Sequence, residues 1–317
     1  HPNLTDLRMR NIKAFSVLVR LPNLIFIFLT QLLIWYALIR PLAIEQPLVN
    51  PVLHLRALLL LILSTVLIAA AGYMINDYFD IGIDAINKPE RVTIEKIFKR
   101  RTIIVWHIIL NVIALLMVTY IALNDLQLRY IALQLISIFL LVVYSTTFKR
   151  KLIVGNFVIS LLTALSLFTI AAYEPAFPIF NLGSYPVALF WIYVLFAFLI
   201  TFSREIIKDI EDIKGDDAQH CKTIPLVWGI QAAKNVVYVL IALLLMLLLV
   251  VCFFQSRGNM FLIASIITIM LSLLLVVYKI HQATNTIHFH TISTYLKWIT
   301  LAGILSLLCH STFNNIQ

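Results

Sequence analysis

Apolar residues in this chain come in long unbroken runs, not in alternation with polar ones. Nine runs stand out: Pro22 to Ile39, Ala57 to Ile75, Ile103 to Ala122, Leu126 to Tyr144, Leu152 to Tyr173, Val187 to Phe202, Val236 to Phe254, Met260 to Tyr278 and Thr291 to Leu308. Each is close to the ~20 residues with which a helix crosses the hydrocarbon core of a bilayer. In lipid every backbone amide must be satisfied inside its own segment, so these runs predict helices. Continuous runs disfavour a β-barrel, whose strands alternate. The fourth and ninth runs are the weakest, because polar residues interrupt them. The pattern predicts an all-α polytopic membrane protein with nine transmembrane helices.

Composition narrows the class further. The 317 residues are 62% hydrophobic with a mean hydropathy of +0.97, and 12% are charged. That charged share is about half of what a soluble domain carries, which excludes a disordered chain and an ordinary cytosolic enzyme. The three cysteines, Cys221, Cys252 and Cys309, are scattered without metal-ligand spacing and cannot staple a secreted module. No polar stretch is long enough to fold as a soluble domain, so residues 1–317 read as one transmembrane domain.

Charge placement gives an orientation. With nine spans and a cytoplasmic N-terminus, 20 Lys and Arg fall inside, and only Arg40, Arg56, Arg129 and Arg257 fall outside. This is a strong positive-inside signal. It accounts for much of the net charge of +9, so topology explains the basic excess and a nucleic-acid partner is not expected. The first run is followed by Arg40-Pro41 with no small-residue cleavage site, so a removable signal peptide is not expected.

The acids are concentrated. Of 15 Asp and Glu, five lie between Asp77 and Glu95 and six between Glu205 and Asp217. Both stretches leave the membrane on the predicted cytoplasmic side, after spans two and six, where both can line one cavity. In the first, Asn76, Asp80 and Asp84 are spaced i, i+4, i+8. In the second, Asp209, Asp212 and Asp216 are spaced i, i+3, i+7. On a helix each set shares a face, and like charges so placed repel. Oxygen side chains gathered this way call for a hard divalent cation, and Mg²⁺ takes a few such oxygens together with water and substrate phosphate. The bland alternative is a pair of solvated loops with helix-capping acids, and two matched stretches on one side argue against it. Arg20, Asn23, Arg91, Tyr144, Lys149, Arg150 and Lys208 lie near the acids. Singly, each is a membrane-edge anchor. Together with bound Mg²⁺ they fit a pyrophosphate site.

The first stretch, Asn76-Asp77-x-x-Asp80-x-x-x-Asp84 with Ala85-Ile86-Asn87-Lys88-Pro89-Glu90-Arg91 after it, resembles the first aspartate-rich motif of the UbiA-type intramembrane prenyltransferase superfamily. Asp209-x-x-Asp212-x-x-x-Asp216 is similar to its second motif. The resemblance covers nearly the whole chain. Within the superfamily, Arg204 to Asp216 followed by Lys222-Thr223-Ile224-Pro225-Leu226 is most similar to the digeranylgeranylglyceryl phosphate synthase branch, although a branch acting on tetrapyrroles carries a similar Asp-Ala-Ile-Asn run. One departure is Arg91-Val92-Thr93-Ile94-Glu95-Lys96, where the family often has Arg-Pro-Ile-Pro-Ser-Gly. That places the loop over the active site, and with it acceptor selection, outside the family pattern.

The resemblance implies nine helices around a central cavity open to the cytoplasm and to lipid. It implies two Mg²⁺ ions, one held by Asn76 and Asp80 and the other by Asp212 and Asp216. Asp77, Asp84 and Asp209 would orient ligands or metal-bound water. Asn23, Arg91, Lys149, Arg150, Lys208 and Tyr144 would contact the diphosphate, with Asp84 or Asp209 as the base. The expected partners are a prenyl diphosphate, a lipid or aromatic acceptor, and the bilayer itself. The physics agrees: neutralising an allylic diphosphate lets it leave, and apolar walls shield the resulting allylic cation from water. Three alternatives stay open: an aromatic or tetrapyrrole acceptor, a cation-coupled transporter, and a non-catalytic cation-binding scaffold. A transporter places its ionisable groups near the bilayer midplane, whereas these lie at span ends. His281, His288 and His290 read as a polar loop, not a metal site, and Trp35, Trp106, Trp191, Trp228 and Trp298 as interfacial anchors.

Overall fold

The computed structural model describes residues 4–44, 53–87, 97–124, 129–254 and 259–314. Its helices are α1 (Leu4–Leu18), α2 (Leu21–Ile34), α3 (Arg40–Ile44), α4 (Leu55–Phe79), α5 (Ile81–Asn87), α6 (Arg100–Asn124), α7 (Arg129–Thr146) and α8 (Val154–Ala172). After these come α9 (Tyr185–Glu211), α10 (Ile213–Ala218), α11 (Ile224–Val227), α12 (Ile230–Phe254), α13 (Met260–Gln282) and α14 (Thr286–Asn314). A π-helical turn, Trp35–Ile39, joins α2 to α3.

Among the described residues, eight helices are long and apolar enough to cross a membrane: Leu21–Ile44, Leu55–Phe79, Arg100–Asn124, Val154–Ala172, Tyr185–Glu211, Ile230–Phe254, Met260–Gln282 and Thr286–Cys309. The fourth predicted run is a shorter apolar helix, Tyr130–Thr146. Its start, Leu126 to Leu128, lies outside the described residues, and Gln134 is buried within it. On α12, Val239, Leu243, Met246, Leu249 and Val250 are all exposed. An outward apolar stripe of that length is what a lipid-facing helix presents and a water-facing one avoids. The chain is an all-helical, multi-pass integral membrane protein.

The chain divides into two compact units. The first comprises 1–29, 55–149 and 214–221. In it α4 packs against α6 and α7, α6 against α7, and α1 against α4. Leu18, Val19, Leu24, Ala70, Met74 and Ile103 form a core cluster, with Tyr73, Phe98 and Trp106 packed on it. Gly72 lets α4 approach α7 closely, since a Cβ there would sit 2.8 Å from Leu141. His107 Nδ1 lies 2.9 Å from the Ala71 carbonyl, pinning α6 to α4.

The second unit comprises 30–54, 150–213 and 222–317. Here α9 is central, packed by α8, α12 and α14, and α13 packs on α12 and α14. With 27 residues, α9 is about 40 Å long at ~1.5 Å per residue, longer than the ~30 Å hydrocarbon core. Its last turns therefore have the length to carry Lys208, Asp209 and Glu211 clear of the core.

Candidate active site

The first acid stretch is built on the end of α4. Helix α4 gives way to α5 at Asp80, but Asp80 N donates to Asn76 O at 3.0 Å and Asp84 N to Asp80 O at 2.8 Å. The backbone thus stays helical through the break, and the i, i+4, i+8 spacing read from the sequence is kept. Asn76 is 8% exposed and Asp80 4%.

Two cations from distant parts of the first unit meet these acids. Arg20 lies between α1 and α2 in the left-handed region, at φ 52°, a conformation costing a non-glycine residue about 1 kcal/mol. Its Nη2 donates to Asp77 Oδ1 at 2.8 Å, and its guanidinium lies 5.0 Å from the centre of the Tyr73 ring. Lys149, in the short 3₁₀ turn Phe148–Arg150, pairs its Nζ with Asp80 Oδ2. The same Asp80 oxygen accepts from Asn76 Nδ2 at 2.7 Å. Burial lowers the Lys149 pKa, but the Asp80 carboxylate and the Tyr144 hydroxyl more than reverse this, and the ammonium is held well above its usual range.

Asp84, in the first turn of α5, takes a proton more readily than an ordinary carboxyl. Its pKa is pushed up to about 6, first by burial and then by the Asp80 and Asp77 carboxylates, with Lys149 and Arg20 opposing. One atom in this cluster bears directly on a metal. Asn76 Oδ1 is buried and accepts no hydrogen bond. A buried carbonyl oxygen without a partner is costly in a native fold, and a hard cation is the partner an amide oxygen can take alongside carboxylates. Among the described residues, no three His, Cys, Asp or Glu side chains are gathered as a preassembled metal cluster. An amide oxygen beside a carboxylate suits Mg²⁺, which completes its shell with water and substrate phosphate.

The second acid stretch begins on α9. Asp209 Oδ2 accepts from Asn156 Nδ2 of α8 at 2.8 Å. Asp212 is the residue that ends α9, its N–H bonded to the Lys208 carbonyl. Lys208 Nζ lies 3.0 Å from both Glu205 oxygens. Arg204 lies 3.5 Å from Glu205 and donates from Nε to the Ser293 carbonyl. Glu211 meets His290 at 2.9 Å. Asp216 is buried on α10, inside the first unit, and its carbonyl accepts from Cys221 N.

The sequence-predicted residues are thus distributed unevenly. Asn76, Asp77, Asp80, Asp84 and Lys149 are brought together in the first unit. Asn23 is half-buried on α2, and Arg150 is exposed, its carbonyl accepting from Lys222 N. Arg91 lies outside the described residues. Lys208 is engaged by Glu205, an acid outside the spaced set. Two residues escape a reading by spacing. Asn156 is a buried amide among the apolar residues of α8. Asn87 accepts from Gly215 N at 3.0 Å. A polar residue at an apolar span's start was the available signal for Asn156, and for Asn87 its place in the first motif.

Comparison with known proteins matches this architecture. The UbiA prenyltransferase family model matches residues 32–299. A digeranylgeranylglyceryl phosphate synthase of Thermococcus sibiricus is 33% identical over 178 residues, 56% of this chain and 58% of the relative. One from Methanosphaera stadtmanae is 29% identical over 239 residues, 74% of this chain and 81% of the relative. The chain thus spans little more than half the length of the Thermococcus relative. Among solved structures, one from work on digeranylgeranylglyceryl phosphate synthase in membranes matches with a TM-score of 0.67 at 20% identity, covering 95% of this chain and 99% of that one. A UbiA homolog from Archaeoglobus fulgidus bound to GPP and Mg²⁺ matches at 0.61 and 15% identity, covering 93% and 99%. The structural likenesses establish the fold, and the family match spans most of the sequence. The chain belongs to the UbiA prenyltransferase family.

Proposed function

We propose that the protein transfers a geranylgeranyl group from its diphosphate to the hydroxyl of a lipid acceptor, geranylgeranylglyceryl phosphate, with Mg²⁺ as cofactor. The observation that carries this is the buried, partnerless Oδ1 of Asn76, whose Nδ2 is bonded to Asp80. The named relatives support the acceptor, and the Archaeoglobus homolog with GPP and Mg²⁺ supports the donor and the ion. We further propose that residues 1–317 act as one domain of nine spans, with the N-terminus and the acid stretches cytoplasmic. The family match across 32–299 and the distribution of Lys and Arg support that reading.

In this reading Asn76 and Asp80 hold one ion, and Asp212 and Asp216 a second. Asp77, Asp84 and Asp209 orient the ligands. Bound Mg²⁺ supplies positive charge to the diphosphate oxygens as they become a leaving group. Lys149, Tyr144, Arg91, Lys208, Arg150 and Asn23 bind the rest of the diphosphate. The bond between the prenyl C1 and its diphosphate oxygen breaks, and the electron pair leaves with the diphosphate. The acceptor hydroxyl oxygen then bonds to C1, and its proton passes to a carboxylate, for which Asp84 and Asp209 are the candidates. Apolar span walls exclude water from the allylic cation.

The test uses purified protein in lipid with labelled geranylgeranyl diphosphate and Mg²⁺. Geranylgeranylglyceryl phosphate, 4-hydroxybenzoate and homogentisate are offered in parallel, with Asp80→Ala and Asp212→Ala as controls. Product with the glyceryl phosphate alone, lost in both variants, is the expected result. Product with an aromatic acceptor alone overturns the acceptor. No Mg²⁺-dependent product or diphosphate release from folded protein overturns the enzyme reading and favours cation-coupled transport.

A further inference from the structure

Within the first unit, one side chain ties the end of the first acid stretch to the second. Asn87, the last residue of α5, accepts through Oδ1 from the backbone N–H of Gly215 at 3.0 Å, across 128 residues of sequence. Gly215 lies in the first turn of the six-residue helix α10. First-turn N–H groups have no partner inside their own helix, so Asn87 supplies one from outside.

The approach is tight. A Cβ on Gly215 would lie 2.4 Å from Asn87 Nδ2 and 2.7 Å from its Cγ. A second glycine marks a further contact between the same segments, because a Cβ on Gly82 would lie 3.1 Å from Gln219 Nε2. So α5 and the α10 region meet at two points, and a glycine makes room at each. The carboxylates proposed to serve the cations flank the tether. Asp84 is three residues before Asn87 on the same short helix, and Asp216 follows Gly215 directly. Asp216 is 5% exposed, so a shift of α10 moves it against packed neighbours instead of through solvent.

We infer that Asn87 is a positioning residue for the cation site. Through Gly215 it sets the distance between the carboxylates of Asp84 and Asp216, and with it the affinity for Mg²⁺. The inference rests on the reading of Asp216 as a cation-holding residue and of Asp84 as one that orients the ligands. Groups that orient metal ligands without touching the metal act on affinity more than on folding.

The experiment measures three quantities on full-length protein in lipid. These are the Mg²⁺ concentration giving half-maximal prenyl transfer, kcat at saturating Mg²⁺, and the thermal unfolding midpoint. Mn²⁺ binding in the presence of inorganic pyrophosphate, followed by electron paramagnetic resonance, gives an activity-independent readout. Asn87→Ala is expected to raise the half-maximal Mg²⁺ concentration and weaken Mn²⁺ binding about tenfold, with kcat changed less than about threefold. Gly215→Ala is expected to do the same, because its methyl displaces the Asn87 amide. Combining it with Asn87→Ala then adds nothing further. Asn87→Asp keeps the Oδ1 acceptor and is expected to stay near wild type. A fall in the unfolding midpoint or kcat with an unmoved Mg²⁺ requirement overturns the inference, and so do additive effects of the two alanine variants. If Asn87→Ala does not fold, Gly215→Ala and Asn87→Asp decide the matter. A wild-type protein with no Mg²⁺-dependent transfer overturns the functional reading instead, and the Mn²⁺ comparison still decides the tether.

Discussion

The two acid-rich stretches look alike in sequence, but the structure neutralises them differently. In the first, two motif acids meet full cations: Asp77 is paired with Arg20 and Asp80 with Lys149, from 57 and 69 residues away. In the second, Asp209 meets the neutral amide of Asn156, and the nearby cations Arg204 and Lys208 attach to Glu205, which is outside the spaced set. The contrast teaches that an acidic motif's charge is balanced by its three-dimensional neighbours, not by its own sequence. The first stretch is held together electrostatically by Arg20 and Lys149. In the second, a dipole meets a motif carboxylate, and the local ion pair forms beside it.

That contrast makes predictions of decreasing size. Asp80→Ala should cut prenyl transfer by about 10²–10³-fold, the scale set by losing one electrostatic stabiliser. It should also destabilise the protein by up to about 3 kcal/mol, since it strands Lys149 in a largely buried site. The double variant Asp80→Ala, Lys149→Ala should recover stability in a thermal unfolding assay without recovering activity. Recovery of both would break the comparison. Asp209→Ala should lower activity on a similar scale, but with a stability cost nearer about 1 kcal/mol, the scale of a neutral amide such as Asn156 losing its acceptor. Equal unfolding shifts for Asp80→Ala and Asp209→Ala would contradict this.

Smaller effects follow at the basic residues. Lys149→Gln should raise the KM for prenyl diphosphate more than Lys208→Gln does. The Lys208–Glu205 pair joins side chains 27% and 13% exposed, so breaking it should cost only about 0–1 kcal/mol of stability. A larger KM effect at Lys208 would mean that it leaves Glu205 for the substrate. His290→Ala removes a contact whose histidine side chain is 54% exposed, and should change stability by no more than about 0.5 kcal/mol. Measured alongside the others, it calibrates the low end of the scale.

The hydrophobic pattern made most of the architecture legible. Among the described residues, the nine apolar runs became eight span-length helices and the shorter Tyr130–Thr146, which is the fourth run, already interrupted by Gln134 and Ser137. The helical spacing of Asn76, Asp80 and Asp84 carried over, because local backbone hydrogen bonds continue through Asp80. Which partner each of these acids takes was not legible. Arg20 and Asn156 are far away in sequence, and periodicity carries no information about which distant side chain a fold delivers. Nor was the Lys208–Glu205 pair legible, because Glu205 lies one helical turn back and outside the spaced acids. Asn87 was visible as part of a motif, but its bond to Gly215 depends on a helix 128 residues onward.

The proposed cation site at Asn76 and Asp80 is one used together with diphosphate. It is tested most directly by Mn²⁺ electron paramagnetic resonance on the purified protein, titrated with and without inorganic pyrophosphate, comparing wild type with Asn76→Ala. Mn²⁺ binding is expected to strengthen with pyrophosphate and to weaken by about tenfold or more in Asn76→Ala. Binding of equal strength in both proteins, or binding indifferent to pyrophosphate, would contradict it.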